Sequence, residues 1–185
     1  MPPEIKLSRR AMLDGVISII EKSGWEAVSA RSVAVELGIS TQPLYREFGD
    51  MEGVKAAALE RGFEIFGEYI GGDALDQAVR YVMFAAERGN LFNFLFRGRA
   101  GKFKGLSELS HSLIPTTDII NRLSEITSLT GEVVYELHLK LWLALHGMAC
   151  FAADNGLTVT ENEIKDFTLQ TTRALTRYYK DKETK

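Results

Sequence analysis

Apolar positions recur at helical spacing along almost the whole chain. Met12, Val16, Ile19 and Ile20 form one stripe over residues 7–23, and Gly24 closes that segment. Val33, Ala34 and Leu37 form a second, shorter stripe. Val54, Ala58, Phe63 and Phe66 define a longer one from about Asp50 to Ile70, and Gly71-Gly72 then interrupts the pattern. Asp73 is placed to cap the helix that follows, and an aromatic-rich segment occupies residues 91–96. Pro115 precedes a helix predicted to end near Leu129. An apolar helix is predicted from Glu132 to about Ala153. Thr160 and Glu163 form a capping box opening a last helix to about Tyr179. Strand-like alternation and hairpin dipeptides are absent. The pattern predicts an all-α fold of about nine helices, with a boundary near residue 70.

The most informative stretch is residues 29–48. Ser29 can cap a helix, since its hydroxyl accepts from an orphan N–H one turn in. Gly38 supplies a left-handed stop, and Ser40 is read as the cap of a second helix. Pro43 falls in the first turn of that helix, where its missing N–H costs nothing. Two short helices joined by a Gly-containing turn are a helix-turn-helix, whose second helix enters a DNA major groove.

Ser29, Val33-Ala34, Gly38-Ile39-Ser40, Leu44-Tyr45-Arg46 and Phe48 resemble the DNA-binding domain of the tetracycline-repressor (TetR) family. The likeness runs from Arg9 to Val54, roughly the first third of the chain. It implies an N-terminal three-helix DNA-binding domain (1–70) joined to a larger helical ligand-binding and dimerisation domain (71–185). It also implies a dimeric, ligand-controlled transcription factor, by default a repressor. Two positions depart from the family pattern. Helix 4 usually begins with a phosphate-binding Lys, and Met51 stands there. The residue before the final Phe is commonly His, and Glu47 stands there. Weaker non-specific binding is the expected consequence, with Glu47 competing for Arg46.

Charge sharpens this expectation. The net charge is −3. Residues 1–60 hold seven basic side chains (Lys6, Arg9, Arg10, Lys22, Arg31, Arg46, Lys55) against nine acidic ones. DNA-binding domains usually show a basic footprint, so this one must segregate its charges. Base contacts come from the start of a recognition helix: Thr41, Gln42 and Pro43, with Tyr45 and Arg46 one turn on. Gln reads adenine bidentately, Arg reads guanine or holds phosphate, and Thr or Pro packs on a thymine methyl. Ser40 stands at the same helix start. Ser29, Arg31 and the arm Lys6-Arg9-Arg10 suit phosphates, which fix register. Leu44 and Phe48 are expected to face inward, and Trp25 to plug the corner between helices 1 and 2.

In the second half, Leu141-Trp142-x-x-Leu145-His146-Gly147 resembles the Trp…His-Gly signature of one ligand-binding subtype of the same family. The resemblance implies a small-molecule effector and a dimer surface on the last two helices. Tyr81, Phe84, Phe92, Phe94, Phe96, Trp142 and His146 are the candidate pocket lining, with packing in a plain core as the alternative for each. Faces carrying Val133, Leu137, Leu141, Leu145 and Ile164, Phe167, Leu175, Tyr178 are the expected dimer seam. Gly147 in mid-helix costs about 1 kcal/mol against Ala, which a close helix crossing would explain.

Other chemistries find little support. His138, Trp142, His146 and Cys150 share a helix stripe, but the two histidines lie eight residues apart, about 12 Å along a helix. They cannot share one zinc, whose ligands sit about 2 Å away. No metal or cofactor is called for. The loop at 97–105 has Gly101-Lys102, but Phe103 stands where a phosphate loop needs Ser or Thr. No nucleophile–base pair can be placed, so an enzyme is the weakest reading. A helical interaction module that has lost DNA binding is the stronger rival. A single cysteine, no long apolar run and no apolar core in MPPEIKLSRR suggest a cytoplasmic protein without a membrane partner.

Overall fold

The computed structural model describes residues 7–97, 106 and 117–183. Among them are nine α-helices and no strand. They are α1 (Arg9–Ser23), α2 (Ala30–Leu37), α3 (Gln42–Phe48), α4 (Met51–Tyr69), α5 (Ala74–Glu87), α6 (Gly89–Phe96), α7 (Thr117–Thr127), α8 (Glu132–Ala153) and α9 (Glu161–Glu183). No described helix is long and apolar enough to cross a membrane.

Local chemistry sets most helix ends. The Ser8 hydroxyl accepts from the Ala11 amide at 3.2 Å, so α1 starts just after the predicted Leu7. The Asp73 carboxylate accepts from the Leu75 and Asp76 amides, both at 2.9 Å. Those amides, Asp76's foremost, hold the Asp73 carboxyl below its ordinary range. Thr160 and Glu163 close the expected capping box at the head of α9.

The described residues group into two compact units. One lies within Met1–Tyr69 and Arg88–Arg99, the other within Ile70–Glu87 and Ala100–Lys185. The chain thus leaves the first unit after α4, builds α5 in the second, and returns with α6. The sequence reading placed α6 beyond the boundary, since helical periodicity reports an apolar face but not which unit covers it.

In the first unit α1 packs on α2, α4 and α6, and α4 packs on α3 and α6. Val16, Ile20, Val33, Leu44, Val54 and Phe92 are almost completely buried. Each such aliphatic side chain contributes about 1.5–3 kcal/mol relative to exposure. α6 is tied down at its start: Arg88 Nε donates to Glu21 Oε1 at 2.6 Å, and Asn90 Nδ2 to the Glu21 carbonyl at 3.0 Å. Arg61 of α4 links to Asp14 of α1 at 2.8 Å and to Glu64 at 3.0 Å.

In the second unit α8 packs on α5, α7 and α9, and α5 also packs on α9. Four of the eight residues expected at a dimer seam lie in this core. Leu137, Leu141, Leu145 and Ile164 are buried within the chain itself. α8 is apolar on more than one face, so its most regular stripe serves the intrachain core. Leu143 and Phe151 on α8, and Phe167, Leu169 and Tyr178 on α9, are the large apolar side chains left exposed on these two helices. Gly147 lies between Leu143 and Phe151, and a Cβ there would meet nothing within 4 Å. No crossing inside the described chain accounts for that glycine.

Candidate nucleic-acid interface

The helix-turn-helix is built from two differently secured helices. α2 opens with a reciprocal capping box: Ser29 Oγ accepts from the Ser32 amide at 3.1 Å, and Ser32 Oγ accepts from the Ser29 amide at 2.8 Å. It ends at Gly38, whose φ of 65° and ψ of 33° are the left-handed values that favour glycine. α3 starts later than predicted. Ser40 is not its cap; Thr41 occupies that position, with helical dihedrals and no side-chain hydrogen bond to the first turn. Pro43 stands in that first turn, as expected. Lacking a side-chain cap, α3 depends on its packing, through the buried Leu44 and its contact with α4.

The first turn of α4 fits tightly under the end of α3. Asp50 Oδ1 accepts from the Gly53 amide at 2.8 Å. A Cβ on Gly53 would lie 2.0 Å from the Phe48 carbonyl oxygen, so only glycine permits this approach. α3 therefore takes its position from α4.

Ser40, Gln42, Tyr45 and Arg46 are exposed, and Thr41 and Pro43 are half-buried. Leu44 points inward, while Phe48 is only half-buried. Among the phosphate candidates, Ser29, Arg10 and Arg31 are exposed, and Lys6 lies outside the described residues.

Part of the charge in this unit is paired. Asp14, Glu21 and Glu36 each meet a cation: Arg61, Arg88 and Lys22 respectively. The Lys22 ammonium, with the Ser18 hydroxyl, holds the Glu36 carboxyl below its usual range. Arg10, Arg31 and Arg46 make no ion pair among the described residues. Glu47 behaves differently from the expectation. Its carboxylate meets not Arg46 but Arg9, with Nη1 to Oε1 at 3.3 Å. The Arg9 guanidinium also lies 4.8 Å over the Phe48 ring. One predicted phosphate contact, Arg9, is thus engaged by α3 itself. Sequence periodicity gave no sign of this pair, which joins residues 38 positions apart.

The candidate effector residues fall into two groups. Phe92, Phe94 and Phe96 belong to the first unit, where Phe94 stacks on Trp25 at 5.2 Å and Phe96 meets Phe63 and Phe66 edge-on. Trp25 does occupy the α1–α2 corner, as a short 3-10 turn. Tyr81, Phe84, Trp142 and His146 belong to the second unit. Phe84 is fully buried. The other three form one cluster: Tyr81 Oη lies 2.8 Å from His146 Nδ1, and the Trp142 ring stacks on His146 at 4.6 Å. Burial pushes the Tyr81 hydroxyl well up, so it stays protonated. A neighbouring helix, α5, thereby supplies a partner to His146. Nε2 lies 3.5 Å from Cys150 Sγ. The loop from 98 to 105 lies outside the described residues.

No family model matches the chain. Over 152 residues it is 25% identical to an uncharacterized HTH-type transcriptional regulator of Mycobacterium tuberculosis, an alignment covering 77% of this chain and 68% of that protein. The chain is therefore similar, over most of its length, to a helix-turn-helix transcriptional regulator.

Proposed function

We propose that the protein is a DNA-binding transcriptional regulator of the TetR type, acting as a homodimer whose operator affinity is lowered by a small-molecule effector. The observation that carries this reading is the exposed face of α3. Gln42, Tyr45 and Arg46 point to solvent from a helix whose opposite side, Leu44, is locked into the core. Exposed hydrogen-bonding side chains on a rigid short helix suit direct reading of base edges. Unpaired Arg10 and Arg31 supply phosphate contacts around them.

Dimerisation rests on the apolar side chains that α8 and α9 leave exposed, Leu143, Phe151, Phe167 and Tyr178, with Gly147 open between the first two. A second copy lying across Gly147 explains a glycine that nothing among the described residues requires. Two recognition helices would then address half-sites about 34 Å apart. The Tyr81–His146–Trp142 cluster is the effector candidate: aromatic surface with a few oriented polar atoms. An effector that prefers the DNA-incompetent arrangement shifts the population away from operator binding, which makes the protein a repressor by default.

The test is a gel shift of the protein's own promoter region at stated salt. The parent shifts the fragment, and Gln42→Ala with Tyr45→Ala abolishes the shift while the helical circular dichroism stays intact. A folded parent that retards no genomic fragment overturns the reading and leaves the interaction module in its place.

A further inference from the structure

A second cleft, inside the first unit, shares no residue with the Tyr81–His146 cluster. It lies between the α1–α2 corner, α4 and α6, and has a volume of about 390 Å³. Small-molecule pockets span roughly 300–1,000 Å³, so this one suits a compact ligand. Leu59 and Phe94 give it an apolar floor, and the Asn90 and Asn93 amides line its polar side.

Its decisive group is Lys55. The side chain is half-buried, and its ammonium lies 5.4 Å over the Trp25 ring centroid. No carboxylate of the described residues comes within ion-pair distance of it, and it makes no hydrogen bond to them. Other cations of this unit, Lys22, Arg61 and Arg88, each hold a carboxylate. An ammonium carries three N–H donors, and a ring face satisfies at most one. The others remain available to an acceptor in the cleft. Arg97 and Glu26 also line the cleft, with opposite charges.

We infer that this cleft binds a small organic acid carrying a single negative charge. Its carboxylate pairs with Lys55, and its apolar body rests on Leu59 and Phe94. Glu26 disfavours dianions, and the apolar floor disfavours bare inorganic anions. Because the walls come from both α4 and α6, the occupant bridges these two helices within the unit.

The experiment uses the full chain carrying Trp142→Phe, which leaves Trp25 as its one indole. Trp25 emission is followed while benzoate, octanoate or inorganic phosphate is added at constant ionic strength. The expected result is a saturable change with benzoate or octanoate, weakened roughly tenfold or more by Lys55→Met, as loss of a charged hydrogen-bonding partner implies. Calorimetric titration of the parent chain and of Lys55→Met with the same probes gives the same comparison if Trp142→Phe fails to fold. The inference is overturned if neither organic acid saturates, if phosphate matches them, or if Lys55→Met binds them equally well. It is also overturned if Lys55→Met weakens operator binding and leaves the probe response unchanged, since Lys55 then serves a DNA phosphate. Gln42→Ala with Tyr45→Ala does not touch the cleft, so the acid response persists there even if DNA binding is absent.

Discussion

Replacing Glu47 with Gln separates two uses of Arg9. In the structure the Arg9 guanidinium is held between the Glu47 carboxylate, 3.3 Å away, and the Phe48 ring, 4.8 Å from its centroid. The pair is exposed, at 50% and 40% of the two side chains. Such an ion pair contributes only about 0.2–1 kcal/mol to folding, and the ring contact survives the substitution. Stability should therefore fall by less than about 1 kcal/mol. DNA binding should change more. Glu47→Gln frees one cation for a backbone phosphate and removes one anion from the same surface. Each phosphate neutralised steepens the plot of log affinity against log salt by roughly 0.9. Over a fourfold change in salt, one such contact alters the affinity ratio by roughly 3.5-fold. Fluorescence anisotropy with a labelled operator at several salt concentrations measures both affinity and slope. The expected variant binds more tightly at low salt and has the steeper slope. Arg9→Gln alone should change little, and Arg9→Gln added to Glu47→Gln should erase the gain. An unchanged slope and affinity for a stable Glu47→Gln protein would refute the argument that Glu47 withholds Arg9 from DNA.

Met51→Lys, at the first residue of α4, should steepen the same salt slope by roughly 0.9 without involving Arg9; a slope matching the parent's counts against a phosphate beside that position. Gly53→Ala forces a Cβ to within 2.0 Å of the Phe48 carbonyl oxygen, and should cost about 1–3 kcal/mol in urea unfolding as well as operator affinity. Gly67→Ala, in the same helix with nothing within 4 Å, should instead stabilise by up to about 1 kcal/mol; equal effects of the two substitutions would count against the close α3–α4 approach. Burial holds the His138 imidazole below its ordinary value, and its Nδ1 finds no partner among the described residues. The unfolded chain takes up this proton first, so His138 makes stability fall as the pH drops below about 6.5. His138→Leu should flatten that loss between about pH 7 and pH 5, and a parallel pH profile for the two proteins would rule the mechanism out. Phe151→Glu places a charge on the exposed stripe of α8 and should yield monomers by sedimentation velocity; an unaltered sedimentation coefficient for a dimeric parent would exclude that face from the interface.

What was legible in the sequence was short-range. The Ser29 cap, the left-handed Gly38, the Asp73 cap and the Thr160–Glu163 box each involve residues within a few positions of one another. Their hydrogen bonds follow from residue type and spacing. The bounds of α8 were legible for a related reason, because Gly131 and the run of apolar residues delimit it without help from the rest of the chain. The start of α3 was not legible, because Ser40 and Thr41 are both acceptable caps by type and the structure caps α3 at Thr41.

By itself, then, the sequence determined that the chain is helical, where most helices stop, and which seven-residue helix carries Gln42, Tyr45 and Arg46. Tertiary structure alone decided which stripe of α8 faces inward, that α6 returns to the first unit, and that Glu47 meets Arg9 rather than Arg46. The physical reason is the same in each case. Caps and turns are satisfied by neighbours in the chain, whereas burial and ion pairing are satisfied by whatever the fold brings alongside. A helix apolar on several faces, or an acid near two arginines, offers more than one solution until its neighbours are in place.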